Sequence, residues 1–154
     1  MFTLVALGGT FDIIHVGHIS LIEKAITISN KIIIGLTSDS FVSKQGKNIT
    51  NNFEKRFENL NKMIREKFPN CTFEIVELDD DFGPAVIEGD VGALVVSEET
   101  SKKGVTLNTM RKKQNLEPIE IITVPMKLAS DGNRVSSTRI RNSEIDSSGN
   151  ILVD

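Results

Sequence analysis

The amino-acid sequence predicts an α/β fold: a doubly wound sheet of five parallel strands in a single domain over residues 1–154. Three observations carry that expectation. Five short runs rich in Val, Ile, Leu or Phe, at 2–7, 31–37, 73–78, 93–97 and 119–124, have the length and composition of buried strands. Between them lie segments whose apolar residues recur at helical spacing. The length, 154 residues, suits one sizeable core and is short for two.

Taken in order, the first strand is followed by Ile19, Ile22 and Ile26, one face of a helix that opens near Val16. The second strand leads through a polar stretch, 38–52, to Phe53, Phe57, Leu60 and Ile64, a second helical face. Further helices are expected over 83–88, a short and weak signal, and over 103–115. Right-handed crossovers then gather the loops leaving the strand C-termini on one edge of the sheet, where open α/β folds bind ligands. The polar tail from 142 carries Ile145, Ile151, Leu152 and Val153 and is expected to pack on the domain as a short appendage.

Composition excludes several function classes. With 39% hydrophobic and 25% charged residues the chain is neither disordered nor fibrous. Eighteen basic against 21 acidic residues leave a net charge of −3, so no broad field attracts nucleic acid or an anionic bilayer, and phosphate recognition must be local. Cys71 is the only cysteine, which rules out an intramolecular disulfide and a cysteine-rich zinc site. The start of the chain shows no basic leader and no apolar run long enough for a signal core or membrane span, so a cytoplasmic location is expected.

Chemistry concentrates after the first strand, in Gly8-Gly9-Thr10-Phe11-Asp12-Ile13-Ile14-His15-Val16-Gly17-His18. Glycines permit a tight turn and close backbone approach, and the N-terminus of the following helix is expected to offer unpaired N–H donors and a positive dipole end to an anion. The two histidines, three apart at a helix start, would alone suit capping or packing better than function. A zinc site lacks suitable further ligands, because these are the only histidines, and no metal ligands are assigned. The loop is not G-x-G-x-x-G, and Gly46-Lys47 lacks the flanks of a Walker loop, which disfavours a dehydrogenase or a P-loop NTPase. Far downstream, Val135-Ser136-Ser137-Thr138-Arg139-Ile140-Arg141 offers hydroxyls at the start of a short helix, suited to a phosphate or to a plain N-cap.

Together, Gly-Thr-Phe-Asp-x-x-His-x-Gly-His and Ser136-Ser137-Thr138-x-x-Arg141 resemble the two signatures of the nucleotidyltransferase superfamily, whose core is Rossmann-like. The stretches Val95 to Thr100, Asn108-Thr109-Met110-Arg111, Asp131-Gly132-Asn133-Arg134 and Glu144-Ile145-Asp146 are similar to the archaeal and eukaryotic type of phosphopantetheine adenylyltransferase, a resemblance that covers nearly the whole chain. It implies adenylyl transfer from ATP to 4'-phosphopantetheine, giving dephospho-coenzyme A and pyrophosphate, with Mg2+ accompanying ATP. The alternative is another adenylyl or cytidylyl transfer, to FMN, nicotinamide mononucleotide or glycerol phosphate. No nucleic-acid or membrane partner is implied, and oligomeric state stays open.

By the same resemblance, His18 stabilises charge at the α-phosphate as a catalytic group and His15 helps bind the triphosphate. Thr10 lies between donor and acceptor phosphates, and Gly8, Gly9 and Phe11 shape the nucleotide loop. Ser136, Ser137, Thr138 and Arg139 address the nucleotide phosphates. A family lysine beyond the second strand matches Lys44 or Lys47, and Lys44 is preferred as the catalytic one. Arg56, Asn108 and Arg111 are read either as ligand contacts or as helix-surface residues, the solvated reading being favoured for Arg56. The bacterial branch has an Arg-Gly-Leu-Arg element where Ser97-Glu98-Glu99-Thr100 stands, so that arginine is not carried over.

Overall fold

The computed structural model describes residues 1–83 and 90–152, with Glu99 described without its side chain. Five strands, β1 (Phe2–Gly9), β2 (Ser29–Thr37), β3 (Phe73–Leu78), β4 (Ala93–Ser97) and β5 (Glu120–Val124), form one parallel sheet in the order β3-β2-β1-β4-β5. Helices α1 (Val16–Ile28), α2 (Asp39–Lys44), α3 (Phe53–Lys67), α4 (Lys102–Lys113) and α5 (Ser137–Arg141) complete the described elements, with a 3-10 turn at Glu98–Thr100. The expected Rossmann-like doubly wound sheet is the observed one. Most of the helix expected over 83–88 lies outside the described residues.

The two faces of the sheet sort the apolar residues into two clusters. Val5, Leu7, Ile32, Ile34, Ala93 and Val95 pack with Ile22 and Ala25 of α1 and Leu60 and Ile64 of α3. Their neighbours along the same strands, Ala6, Leu94 and Val96, pack with Leu107 of α4 and with Phe82. This alternation is why the strand runs are apolar throughout: both faces are covered, and side chains one residue apart enter different cores.

Strand order reverses at β1, whose neighbours are β2 on one side and β4 on the other. The loops leaving β1 and β4 diverge there, opening the crevice in which such sheets bind ligands.

Helix α2 was not expected. Ser38 caps it, its hydroxyl accepting the Phe41 N–H at 3.1 Å, and the helix ends after six residues. Its shortness explains its invisibility, since a segment of under two turns shows no apolar period. The tail packs in part: Ile145 is fully buried in a small cluster with Ala129 and Val135, and the Ser147 carbonyl accepts the Val16 N–H at 3.1 Å, whereas Ile151 and Leu152 are exposed and Val153 lies outside the described residues. Among the described residues no helix is long and apolar enough to cross a membrane.

Candidate active site

A cavity of about 800 Å³ opens at the C-terminal edge of the sheet, with Gly8, Gly9 and Thr10 on one wall and Ser136, Ser137 and Thr138 on another. His15 and His18 line it from the start of α1. Two distant sequence motifs thus meet in one crevice.

The histidines build the helix start and the site at once. His15 is the N-cap of α1, its Nδ1 accepting the Gly17 N–H at 3.0 Å, while His18 Nδ1 accepts the His15 N–H at 3.2 Å. This is a capping box made of two imidazoles, so capping and a place in the cavity wall coexist. The rings stack with centroids 3.8 Å apart. Because each Nδ1 accepts, a neutral ring carries its proton on Nε2, leaving Nε2–H as the donor for a ligand.

Gly17 is required by this arrangement, since a Cβ there would meet His15 Cε1 at 2.8 Å. Gly9 makes room for Phe11, whose ring would lie 3.1 Å from a Cβ at that position. Phe11 itself is buried with φ 49°, an uncommon conformation for a residue with a side chain, and its ring packs 4.9 Å from that of His18. The two rings thus pack against each other in the cavity wall.

The expected unpaired donors at the start of α1 are not present. Val16 N–H is taken by Ser147 and Gly17 N–H by His15. Main-chain donors buried at a helix start find internal partners. The imidazoles and the dipole remain as the features of α1 that favour an anion.

Burial holds His18 down to about pKa 3, with His15 beside it adding to the effect, and burial together with Arg134 holds His15 at about 4. Both rings are therefore neutral at physiological pH. The unfolded chain, with histidines near 6.5, binds protons first, so the two rings leave stability undiminished above about pH 6.5 and lower it progressively as pH drops toward 4 and 3. Histidine Cε1–H resonances followed by NMR should titrate with midpoints below about pH 5, and pyrophosphate should move them upward by favouring the cations. A midpoint near 6.5 for both rings would contradict the burial.

Asp12, 3% exposed, follows Phe11 and accepts the N–H groups of Thr50 and Asn51, each at 2.9 Å, as well as the Arg141 guanidinium. Arg141 also donates to Thr138 Oγ1 at 3.2 Å and lines the cavity. Ser137 Oγ donates to the Ile13 carbonyl at 3.0 Å, and Ser136 Oγ caps α5 by accepting the Arg139 N–H at 3.2 Å. The Ser137 hydroxyl thus joins the two motifs, the Ser136 hydroxyl holds the start of α5, and both residues line the cavity.

Several site residues fall differently from expectation. Lys44 is exposed in the last turn of α2 and does not line the cavity, whereas Lys47, three residues on, does. Arg139 lies outside the lining: it pairs with Asp131 and Glu144 and donates to the Arg134 carbonyl at 2.9 Å. Arg134 and Arg141 line the cavity instead.

Arg56 is neither solvated nor a cavity residue. Fully buried, it donates to the carbonyls of Thr10 (3.0 Å), Thr37 (2.8 Å) and Asn51 (3.1 Å) and pairs with Asp39 at 2.8 Å. The ends of β1 and β2 are tied through it. Asn108 exchanges two hydrogen bonds with Ile119 and Arg111 donates to the Glu117 carbonyl at 2.8 Å, so both hold the approach to β5 and neither lines the cavity.

The cytidylyltransferase-like family model matches residues 6–143 of the chain. A phosphopantetheine adenylyltransferase of Methanosarcina acetivorans is 43% identical over 148 residues, covering 94% of this chain and 93% of its own length. That of Methanothermobacter thermautotrophicus is 38% identical over 151 residues, covering 98% and 90%. Among solved structures, a protein of unknown function from Archaeoglobus fulgidus superimposes with a TM-score of 0.72 at 33% identity, over 79% of this chain and 89% of that one. With matches of this extent, and with both signature motifs converging on one cavity, the chain belongs to the phosphopantetheine adenylyltransferase family of cytidylyltransferase-like nucleotidyltransferases.

Proposed function

We propose that the protein transfers the adenylyl group of ATP to 4'-phosphopantetheine, releasing pyrophosphate and forming dephospho-coenzyme A in the course of coenzyme A synthesis in the cytoplasm. The observation that carries this reading is the likeness to relatives of that name across nearly the full chain. A phosphate oxygen of the acceptor attacks the α-phosphorus of ATP, the new P–O bond forms, and the bond to the β-phosphate oxygen breaks. The acceptor phosphate is already anionic, so the protein supplies position and charge neutralisation rather than a covalent nucleophile.

In this scheme His18 donates Nε2–H to the α-phosphate as charge builds there, and His15 donates to the triphosphate. Gly8, Gly9 and Thr10 bring backbone close to the phosphates, with Thr10 between donor and acceptor. Ser136, Ser137 and Thr138 address the leaving phosphates together with Arg141, which takes the part first assigned to Arg139. Lys47, which lines the cavity, replaces Lys44 as the lysine that meets the transferring phosphoryl group.

Among the described residues no group of three or more His, Cys, Asp or Glu side chains is placed to hold a metal. Asp12, in the cavity wall, already has two N–H donors and a guanidinium on its carboxylate. Magnesium therefore fits as an ion carried by the triphosphate oxygens, as it commonly is in phosphoryl transfer, rather than in a protein cage. When bound there it neutralises phosphate charge.

Incubation with ATP, magnesium and each acceptor in turn tests the assignment. Pyrophosphate release should be fastest with 4'-phosphopantetheine, by about 100-fold or more where acceptor hydrogen bonds go unmade. Faster turnover of FMN, nicotinamide mononucleotide or glycerol phosphate would reject the acceptor and leave the family intact.

A further inference from the structure

We infer that Asp12 is a positioning residue that sets the reactive geometry by fixing two separate walls of the cavity, the loop that carries Lys47 and the side chain of Arg141. Its carboxylate is almost wholly buried, yet it meets no substrate in the scheme above. Oδ1 accepts the Asn51 N–H and Oδ2 the Thr50 N–H, both at 2.9 Å, and Arg141 Nη1 donates to Oδ2 as well. Asn51 returns a bond from its side chain to the Asp12 carbonyl, also at 2.9 Å.

A charged acceptor with three fixed donors is a strong and directional anchor. The donors come from parts of the chain far apart in sequence: Thr50 and Asn51 end the loop after α2, and Arg141 ends α5. Lys47 stands three residues before Thr50, within that loop. Asp12 itself belongs to the loop after β1. A shift of any one partner is therefore felt by the others through a single side chain. His18 is held outside this set of contacts, by its own bond to the His15 N–H in the first turn of α1.

This inference rests on the adenylyltransferase reading for its kinetic consequence, but not for its structural one. Asp12→Asn keeps the size and one acceptor while removing the charge and one acceptor position. Hydrogen exchange should show the Thr50 and Asn51 amides losing at least tenfold of their protection in that variant, with the amides of β1 and β2 unchanged. Unaltered protection at both residues would overturn the proposal whatever the protein catalyses.

Kinetically, Asp12→Asn should lower kcat/KM by about 100-fold, the scale of a reacting group misplaced by an ångström. Combined with Lys47→Ala or Arg141→Met, the loss should stay within about threefold of the worse single variant; combined with His18→Ala it should multiply. Multiplication in all three pairs would mean that Asp12 acts only on global stability. Should Asp12→Asn fail to fold, Asn51→Ala removes the return bond with the carboxylate intact, and the same pattern of coupling to Lys47→Ala is expected at smaller amplitude. A wild-type protein inactive with ATP and 4'-phosphopantetheine would reject the reaction, leaving hydrogen exchange to decide the anchor.

Discussion

His18→Ala should lower kcat by about 100- to 1,000-fold while changing the affinity for ATP much less, the scale seen when a single donor to a developing charge is removed. The donor is the Nε2–H of a neutral ring, because Nδ1 accepts the His15 N–H and burial depresses the imidazole pKa to about 3. His18 also closes one half of the capping box, so the alanine variant loses a cap of about 1 kcal/mol as well. His18→Asn separates the two effects: a short polar side chain can restore a cap while placing no donor where Nε2 stood. Single-turnover rates of product formation for both variants, with a thermal melt of each, make the comparison. An unchanged kcat in either would remove His18 from the chemistry.

The second large effect belongs to Arg56, which no ligand touches in the proposed scheme. Arg56→Met should destabilise the protein by about 3 to 5 kcal/mol, since three backbone carbonyls lose a charged donor in a place that water reaches poorly. For a chain of this length that corresponds to a Tm lower by roughly 6 to 20 °C. Arg56→Lys should recover only part of it, because one ammonium cannot span carbonyls just after β1, at the end of β2 and in the loop after α2 at once. Urea unfolding of the three proteins gives the comparison directly. A loss under about 1 kcal/mol in Arg56→Met would show that the clamp is replaceable by water. Activity should fall as well, because the Thr10 carbonyl is one of the groups released.

Arg56 also marks a limit of what the sequence makes legible, and the limit has a physical cause. A charged residue on a helix is ordinarily solvated, and by residue type alone that expectation is sound. The informative signal is its place: 56, 60 and 64 are one stripe of α3, and all three are buried. Phe57, taken as part of the apolar face, is 38% exposed. The same pattern recurs at Gly104, Leu107 and Arg111 of α4. An arginine in register with a buried stripe is better read as a donor to backbone at the end of the sheet than as a surface charge.

The parallel strands were readable because two covered faces demand continuous apolar runs, and the two motifs were readable because each residue in them is constrained by chemistry or by close packing. Lys44 and Lys47 could not be separated in the same way. Their difference depends on α2, whose six residues end after Lys44 and leave Lys47 in the turn beyond. Asp12 carried a faint signal, a carboxylate between Phe11 and Ile13-Ile14, but its partners lie 38 and 129 residues away and no local pattern could name them.

Those long spans have a consequence for how the protein is made. Ile13 is held by Ser137 across 124 residues, Asp12 by Arg141 across 129, and Val16 by Ser147. A chain still emerging from the ribosome can pair β1 with β2 and pack α1 on them, for those contacts are close in sequence. It cannot close the nucleotide crevice until residue 147 is free to reach the first helix. Contacts of such separation form late because the loop entropy is lost before any bond rewards it. The growing chain should thus be blind to ATP until the segment around residues 137–147 has emerged, acquiring its ligand only after the first strands have paired.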